Sequence, residues 1–264
     1  MRKNRKKSKM GFTFVVLLAL LATFGASYAM WTENTQIHGA IGTMEDFNYL
    51  CLEGYWALDE ESGTNAPDLS MNEYDGTVNG ASWEESLGIN GCLDFDGTSD
   101  YVEVPDHDSL DITDEITIMA WIKPASTNSN WPTVLAKWSG SSYNELYWLG
   151  IQNNKIGAEV TTYNGNFYRE TTTDVVTLDE WQHLAMSYDS STSIFRIYRN
   201  GNLIQEWTDV SGTISTSNED LTIGVVKRSL NQHYFNGLID EVKIYSCALS
   251  ADDILEEYDE GSPV

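Results

Sequence analysis

Basic side chains are scarce in this 264-residue chain: 15 Lys and Arg stand against 40 Asp and Glu. Six of the fifteen fall within residues 1–29, which carry no acid, so the remainder sets nine cations against forty anions, a balance of −31. A surface of that sign repels phosphate backbones and anionic lipid. It excludes nucleic acid as a partner and favours divalent cations and cationic molecules instead. With only 5 prolines there is no proline-rich tract, and the 3 cysteines form no CxxC pair. Helical heptads and long repeats are absent as well, so neither a coiled coil nor a solenoid fits. HExxH and GxSxG, the signatures of zinc peptidases and serine hydrolases, do not occur.

The first 29 residues have an organisation of their own. Arg2, Lys3, Arg5, Lys6, Lys7 and Lys9 precede the apolar run FTFVVLLALLATFGA at 12–26, and Ser27 and Ala29 set small residues at −3 and −1 of a cut after Ala29. This pattern predicts a secretory signal peptide over 1–29; uncleaved, the same run would be an anchor with its basic end inside. The stretch ASYAMWTENTQIHGAIGT at 26–43 is similar to the N-termini of secreted camelysin and biofilm-fibre proteins. Residues 30–48 lack periodicity and read as a linker or an extra strand.

From Tyr49 onward, apolar runs of five to eight residues with period two recur between clusters of Gly, Asn, Asp and Ser, which predicts an antiparallel all-β protein. Asn200-Gly201 is a hairpin turn joining two such runs. The final run, Leu238 to Tyr245, is entered through Asn236-Gly237 and followed by Ser250-Ala251-Asp252-Asp253, an N-cap with an acid three residues on that predicts a short C-terminal helix. Alternation sets Leu238, Asp240, Val242 and Ile244 on one face of this strand. Asp240 is then an acid on an apolar row, to be paired, hydrogen-bonded or bound to a metal.

From about Leu52 to Tyr258 the chain resembles the laminin-G-like jelly roll of the concanavalin A-like lectin/glucanase superfamily. The segments that carry the resemblance include GYWALDEESGTNAPDLSMNEYDGTVNGA at 54–81, LDFDGTSDYVEVPDHDSLDIT at 93–113, LDEWQHLAMSYD at 178–189 and FNGLIDEVKIYSCALSADDI at 235–254, in the family's order. It implies a two-sheet antiparallel jelly-roll sandwich over residues 49–264, with the first and last strands neighbours. It also implies a structural calcium held by Asp240 with Asp68 and Asn72 of the DxSxN-type loop, where Met71 stands in place of the family's usual Gly. The alternative is that Asp240 accepts backbone hydrogen bonds with no ion. Cys51 precedes the first family strand and Cys247 follows the last, so a Cys51–Cys247 disulfide would tie the ends together, with Cys92 the alternative partner for either.

An enzyme of the laminarinase type would show an ExDxxE-like strand, because retaining hydrolysis needs two carboxylates facing one bond. No such strand is present, and Asp94 and Asp96 share a face only to run into the Gly97 turn. His183, on the row Trp181, His183, Ala185, reads as a core residue. Sugar recognition instead wants ring faces beside hydrogen-bonding side chains. Trp131, Trp138, Tyr143, Tyr163, Tyr168, Arg228, Gln232 and Tyr234 are the candidates for ligand contact, in the most turn-rich part of the chain, whereas Tyr147 and Trp148 read as core. The expectation is a non-catalytic, extracellular or cell-surface module that binds glycans or surface proteins. A structural component of a surface fibre is the alternative, with a glycan hydrolase the minority reading.

Overall fold

The computed structural model describes residues 50–127, 131–138, 145–227 and 232–261; the predicted signal peptide and linker lie outside them. Among the described residues the alternating runs fold as eighteen strands. The first nine are β1 (Leu52–Trp56), β2 (Asn65–Ala66), β3 (Gly76–Asn79), β4 (Ser82–Trp83), β5 (Leu93–Asp96), β6 (Tyr101–Val104), β7 (Glu115–Pro124), β8 (Thr133–Trp138) and β9 (Glu145–Gln152). They continue as β10 (Lys155–Thr162), β11 (Gly165–Glu170), β12 (Gln182–Asp189), β13 (Ile194–Arg199), β14 (Asn202–Trp207), β15 (Leu221–Ile223), β16 (Val225–Val226), β17 (His233–Tyr234) and β18 (Asn236–Tyr245). The predicted C-terminal helix, α1 (Ala251–Glu260), follows, with Ser250 and Asp253 forming a reciprocal capping box.

Two eight-stranded antiparallel sheets result. Sheet A runs β14-β13-β12-β7-β18-β5-β4, with β1 beside the second half of β18 where β5 lies beside the first. Sheet B runs β11-β10-β9-β8-β15-β6-β3-β2, and β16 pairs with β17 in a separate ladder. Asn200 and Gly201 both take positive φ, 49° and 71°, and close the β13–β14 hairpin as their sequence predicts.

The main core lies between the sheets, and a second apolar layer lies under α1. In β7, Ile116, Ile118, Ala120 and Ile122 enter the main core, while Met119 packs with Ala185, Tyr198, Tyr245, Leu249 and Ile254 in the second layer. A strand covered on both faces needs no polar alternation, which explains the continuous apolar run EITIMAWI. Glu257 of α1 accepts hydrogen bonds from Lys243 Nζ (2.5 Å) and Tyr245 Oη (2.7 Å), and Tyr258 stacks on Trp121. Beneath them His183 is buried beside Trp121, and burial pushes its pKa down to about 3, so it stays neutral as a core residue.

Cys51 and Cys247 form the disulfide, with Cα atoms 5.8 Å apart and a sequence separation of 196, and the remaining thiol, Cys92, is buried. Closing so long a loop is worth roughly 2–5 kcal/mol in the chain-entropy account. The first and last strands are therefore joined both by backbone pairing and covalently.

The expected alternation of β18 is broken. The register against β7 shifts between Asp240 and Lys243, where Glu241 takes φ of 50°. This bulge puts Ile239, Val242 and Ile244 into the main core and removes Asp240 from that row. Asp240 is thus not an acid on the apolar face, because one extra residue re-aims everything after it.

Candidate functional site

The bulge has a chemical consequence. Asp240 and Glu241, which strict alternation would send to opposite faces, place carboxylate oxygens within 4.8 Å of each other and of Asp59. Asp59 follows Leu58, a buried non-glycine residue at φ 54°, so two strained backbone positions flank the trio. Such positions persist where surrounding structure enforces them and cluster at ligand sites. The segment Gly88–Gly91 wraps the carboxylates closely. Ile89 N–H donates to Asp240 Oδ2 at 2.8 Å and Glu241 N–H to Asp240 Oδ1 at 2.8 Å. A Cβ on Gly88 would stand 2.6 Å from Asp240 Oδ2 and 2.1 Å from the Gly91 carbonyl oxygen, so only glycine fits. Burial pushes the Asp240 pKa up to about 8 against the two amides, with the charges of Glu241 and Asp59 adding to the rise.

Asp68 and Asn72 do not join this group. Asp68 Oδ1 accepts from the Tyr55 and Ser70 amides (2.8 and 2.9 Å), and Oδ2 from Ser70 Oγ and the Tyr74 amide (2.6 and 2.9 Å). Asn72 Nδ2 donates to the Glu53 carbonyl at 2.9 Å. The loop is held by its own hydrogen bonds, and Asp240 faces Asp59 and Glu241 instead. The grouping of Asp240 with Asp68 and Asn72 is corrected accordingly.

A second constellation lies on the outer face of sheet B. Residues in register across antiparallel strands share a face, and the pairings Ala136↔Trp148, Trp148↔Glu159 and Glu159↔Tyr168 draw one row over β8, β9, β10 and β11. Trp148, Ala136 and Val226 form a small apolar cluster with partly exposed Trp131 and Tyr168 packed on it. Trp131 meets Tyr168 edge-on at 4.7 Å between ring centroids and Trp148 at 5.8 Å. The Trp148 ring can lie down because the strands beneath lack side chains there. A Cβ on Gly150 would sit 2.3 Å from the Trp148 ring, and one on Gly157 would sit 2.8 Å from that ring and 3.0 Å from Tyr168 Oη. Trp148 Nε1 donates to Thr133 Oγ1 at 2.9 Å, which fixes the indole, and Tyr168 Oη donates to Glu170 at 2.9 Å.

Glu159 lies in the row between the two rings. It accepts from Asn166 Nδ2 at 2.6 Å and from the Glu145 amide at 3.2 Å. Burial raises the Glu159 pKa to about 8, and the neighbouring Glu145 charge pushes in the same direction. Glu159 is thereby favoured in its protonated form at neutral pH.

A family profile of the concanavalin A-like lectin/glucanases superfamily matches residues 96–255. The chain belongs to that superfamily. No curated protein matches the sequence significantly. Among solved structures it is similar to the binding domain of Paraclostridial Mosquitocidal Protein 1, with 13% identity and a TM-score of 0.65, covering 80% of this chain and 52% of that one. It is similar also to domain 4 of AbnA, a GH43 extracellular arabinanase from Geobacillus stearothermophilus, in complex with arabinotriose. There the identity is 19% and the TM-score 0.60, over 78% of this chain and 97% of that domain. The receptor binding domain of botulinum neurotoxin C/D mosaic serotype matches at 16% identity and TM-score 0.61, over 80% and 52%. The chain spans about half the length of these toxin domains. At such identities the likeness is one of fold, the expected two-sheet jelly roll.

Of the residues expected to touch ligand, Trp131 and Tyr168 are brought together. Trp138 ends β8 opposite Glu145, and Tyr163 is exposed at the β10–β11 turn. Tyr234 pairs in β17 and donates to Gln232. Tyr143 and Arg228 lie outside the described residues. Asp96 is held by its own turn: burial opposes ionisation, yet the hydroxyls and amides of Thr98 and Ser99 keep its carboxyl well below the usual range. Trp148, Glu145, Glu159 and Asp59 were not among the expected site residues. Mid-strand Gly150 and Gly157 are the signal that marks the platform.

Proposed function

We propose that this protein is an extracellular glycan-binding module whose ligand lies on the outer face of sheet B, across Trp131 and Tyr168 with Trp148 as their floor. The observation that carries this is the row Trp148–Glu159–Tyr168 lying over Gly150 and Gly157. An outer sheet face normally carries polar side chains, whereas this one carries a glycine-bedded aromatic platform edged by carboxyl and amide groups. Ring faces suit the C–H face of a sugar, and Asn166 and the carboxyls suit its hydroxyls. The arabinotriose complex of the AbnA domain agrees with this ligand class.

Calcium fits the other site. Asp59, Asp240 and Glu241 supply hard oxygen donors in a buried, glycine-walled cradle, the donor chemistry calcium takes. Bound there, the ion would neutralise the trio and brace the junction of β1, β18 and the 88–91 segment, so its role is structural.

A glycan array run on wild type, Trp131→Ala and Tyr168→Ala, with and without calcium, tests the reading. Binding that survives in both variants would overturn the platform. The fibre alternative keeps its N-terminal resemblance but loses one support, since Cys92 is buried and the other cysteines are bonded to each other.

A further inference from the structure

The inner face of sheet B carries one residue out of keeping with its row. Lys137 lies on β8 with Tyr147 and Leu221 as its cross-strand neighbours, and both of these belong to the main core. Of the five lysines among the described residues it alone is fully buried, its side chain 0% exposed. Its Nζ donates to Asp106 Oδ1 and, at 2.9 Å, to the Glu219 carbonyl, with Asp111 Oδ1 at 3.5 Å. Both acids are fixed from behind. The Asp106 amide donates to Asp220 at 2.9 Å, and Asp111 accepts from the Ser217 amide at 3.3 Å. Tyr147 Oη holds the turn between them by donating to the Leu110 carbonyl at 2.9 Å. An amine, a carboxyl in contact with it and a second carboxyl beside the amine are the parts of an amide-forming site: nucleophile, electrophile and proton carrier.

We infer that Lys137 and Asp106 condense after folding to an intramolecular isopeptide bond, with Asp111 as the proton carrier. A proton passes from the ammonium to the Asp106 carboxylate, which leaves a neutral amine beside a neutral acid. Nζ attacks Cγ, and Asp111 takes the proton that the nitrogen sheds and returns it to the departing hydroxyl. One N–C bond forms, one C–O bond breaks and one water leaves; no oxidant, reductant or cofactor is consumed. The Asp106 and Asp111 side chains are 27% and 21% exposed, so the water has a way out. Free in water, the separate ions are the favoured state, and two features of the site reverse that balance. Groups held in contact react at effective concentrations that reach about 10⁵–10⁸ M. A neutral amide also escapes the desolvation cost that a buried ammonium carries, and its remaining N–H still serves the Glu219 carbonyl. The bond spans β15, joining β8 to the chain that leaves β6, two strands that are not neighbours in sheet B. This inference is independent of the glycan-binding reading.

Mass spectrometry of the purified full chain, reduced and denatured, decides the matter. The wild type should weigh one water less than its sequence requires. A tryptic digest should contain the peptide holding Asp106 joined to the one holding Lys137, with no cleavage after Lys137; the joined peptide separates this bond from loss of water at an Asp-Gly step elsewhere. Lys137→Arg keeps the cation but not the nucleophile and should show the full mass and no joined peptide. Asp111→Asn leaves Lys137 and Asp106 in contact but removes the proton carrier, and in a refolding time course it should lose water at least a hundredfold more slowly, the lower end of what general acid–base help supplies. Wild type that is folded by its melting curve and keeps its full mass after prolonged incubation would overturn the inference, and the trio would be an ordinary buried ion pair. That reading needs no variant, so it stands even where Lys137→Arg does not fold. A folded Asp111→Asn that cross-links at the wild-type rate would overturn the part given to Asp111.

Discussion

Asp240 on sheet A and Glu159 on sheet B are both buried carboxyls raised to about 8, yet their surroundings differ in kind. Asp240 is held by backbone amides, glycines and a strained bulge, with two further acids near by. Glu159 is held by the Asn166 side chain and the Glu145 amide, on a regular ladder, between aromatic rings. The first site is fixed by the main chain, and a change there disturbs the fold. The second is built from side chains on a sheet that forms without them, so it can vary while the jelly roll stays the same. Function in this fold class is expected at places of the second kind.

The largest effect separates floor from surface within the platform. Trp148 is 3% exposed and hydrogen-bonded to Thr133, so Trp148→Ala removes a packed ring and leaves a buried hydroxyl short of a partner. The expected loss is about 3–5 kcal/mol, a fall in Tm on the order of 10 °C by calorimetry. Trp131→Ala should cost far less stability while reducing glycan affinity at least tenfold. Equal stability losses would mean that both rings are merely core.

Next comes the ion at Asp59, Asp240 and Glu241. At a hundredfold excess over Kd, a cation that binds only the folded state adds about 2.7 kcal/mol. Calcium should therefore raise Tm by several degrees in wild type and in Trp131→Ala, and leave Asp240→Asn unmoved. A Tm indifferent to both calcium and chelator would remove the site.

The two carboxyls can then be told apart by pH. Each has a folded pKa near 8, above its unfolded value near 4, so each stabilises the fold fully below about pH 4 and loses that contribution as pH rises toward 8. In chelator, stability should decline across that window, and Asp240→Asn and Glu159→Gln should each remove part of the slope. Calcium should remove only the part due to Asp240, since it competes with the proton there, and its affinity should rise with pH up to about 8. Urea melts at pH 5, 6, 7 and 8 measure all four cases.

The strands, the hairpin at Asn200-Gly201, the capped helix and the Cys51–Cys247 pairing were legible in the sequence because each depends on local chemistry or on the order of familiar segments. The site geometry was less so. The alternation of β18 fails at one residue, Glu241, whose positive φ nothing in its side chain announces. Asp68 looked like an ion ligand because a carboxylate that satisfies four neighbouring donors and one that meets a cation read alike in sequence. Trp148 looked like core and is buried, but on the outer face of sheet B, because two mid-strand glycines gave no hint that Val226 and Trp131 would pack against it.

The smallest change is the sharpest. Gly88 and Gly157 each sit under a site, and each is crowded: an added Cβ meets the Gly91 carbonyl at 2.1 Å in one case and the tips of Trp148 and Tyr168 at 2.8 and 3.0 Å in the other. Gly88 also has φ of 73°, so Gly88→Ala is strained and collides with main chain that cannot yield. At Gly157 the obstacles are side-chain atoms, among them the buried Trp148 ring, so the methyl overpacks the platform at about 1–3 kcal/mol, offset in part by the roughly 0.4–1 kcal/mol gained from the unfolded chain. Gly157→Ala should accordingly lower Tm by only a few degrees while tilting the Trp148 ring off the sheet and weakening glycan binding several-fold. A variant that binds normally would show that Trp148 need not lie flat, and the platform would lose the feature that distinguishes it from an ordinary covered sheet face.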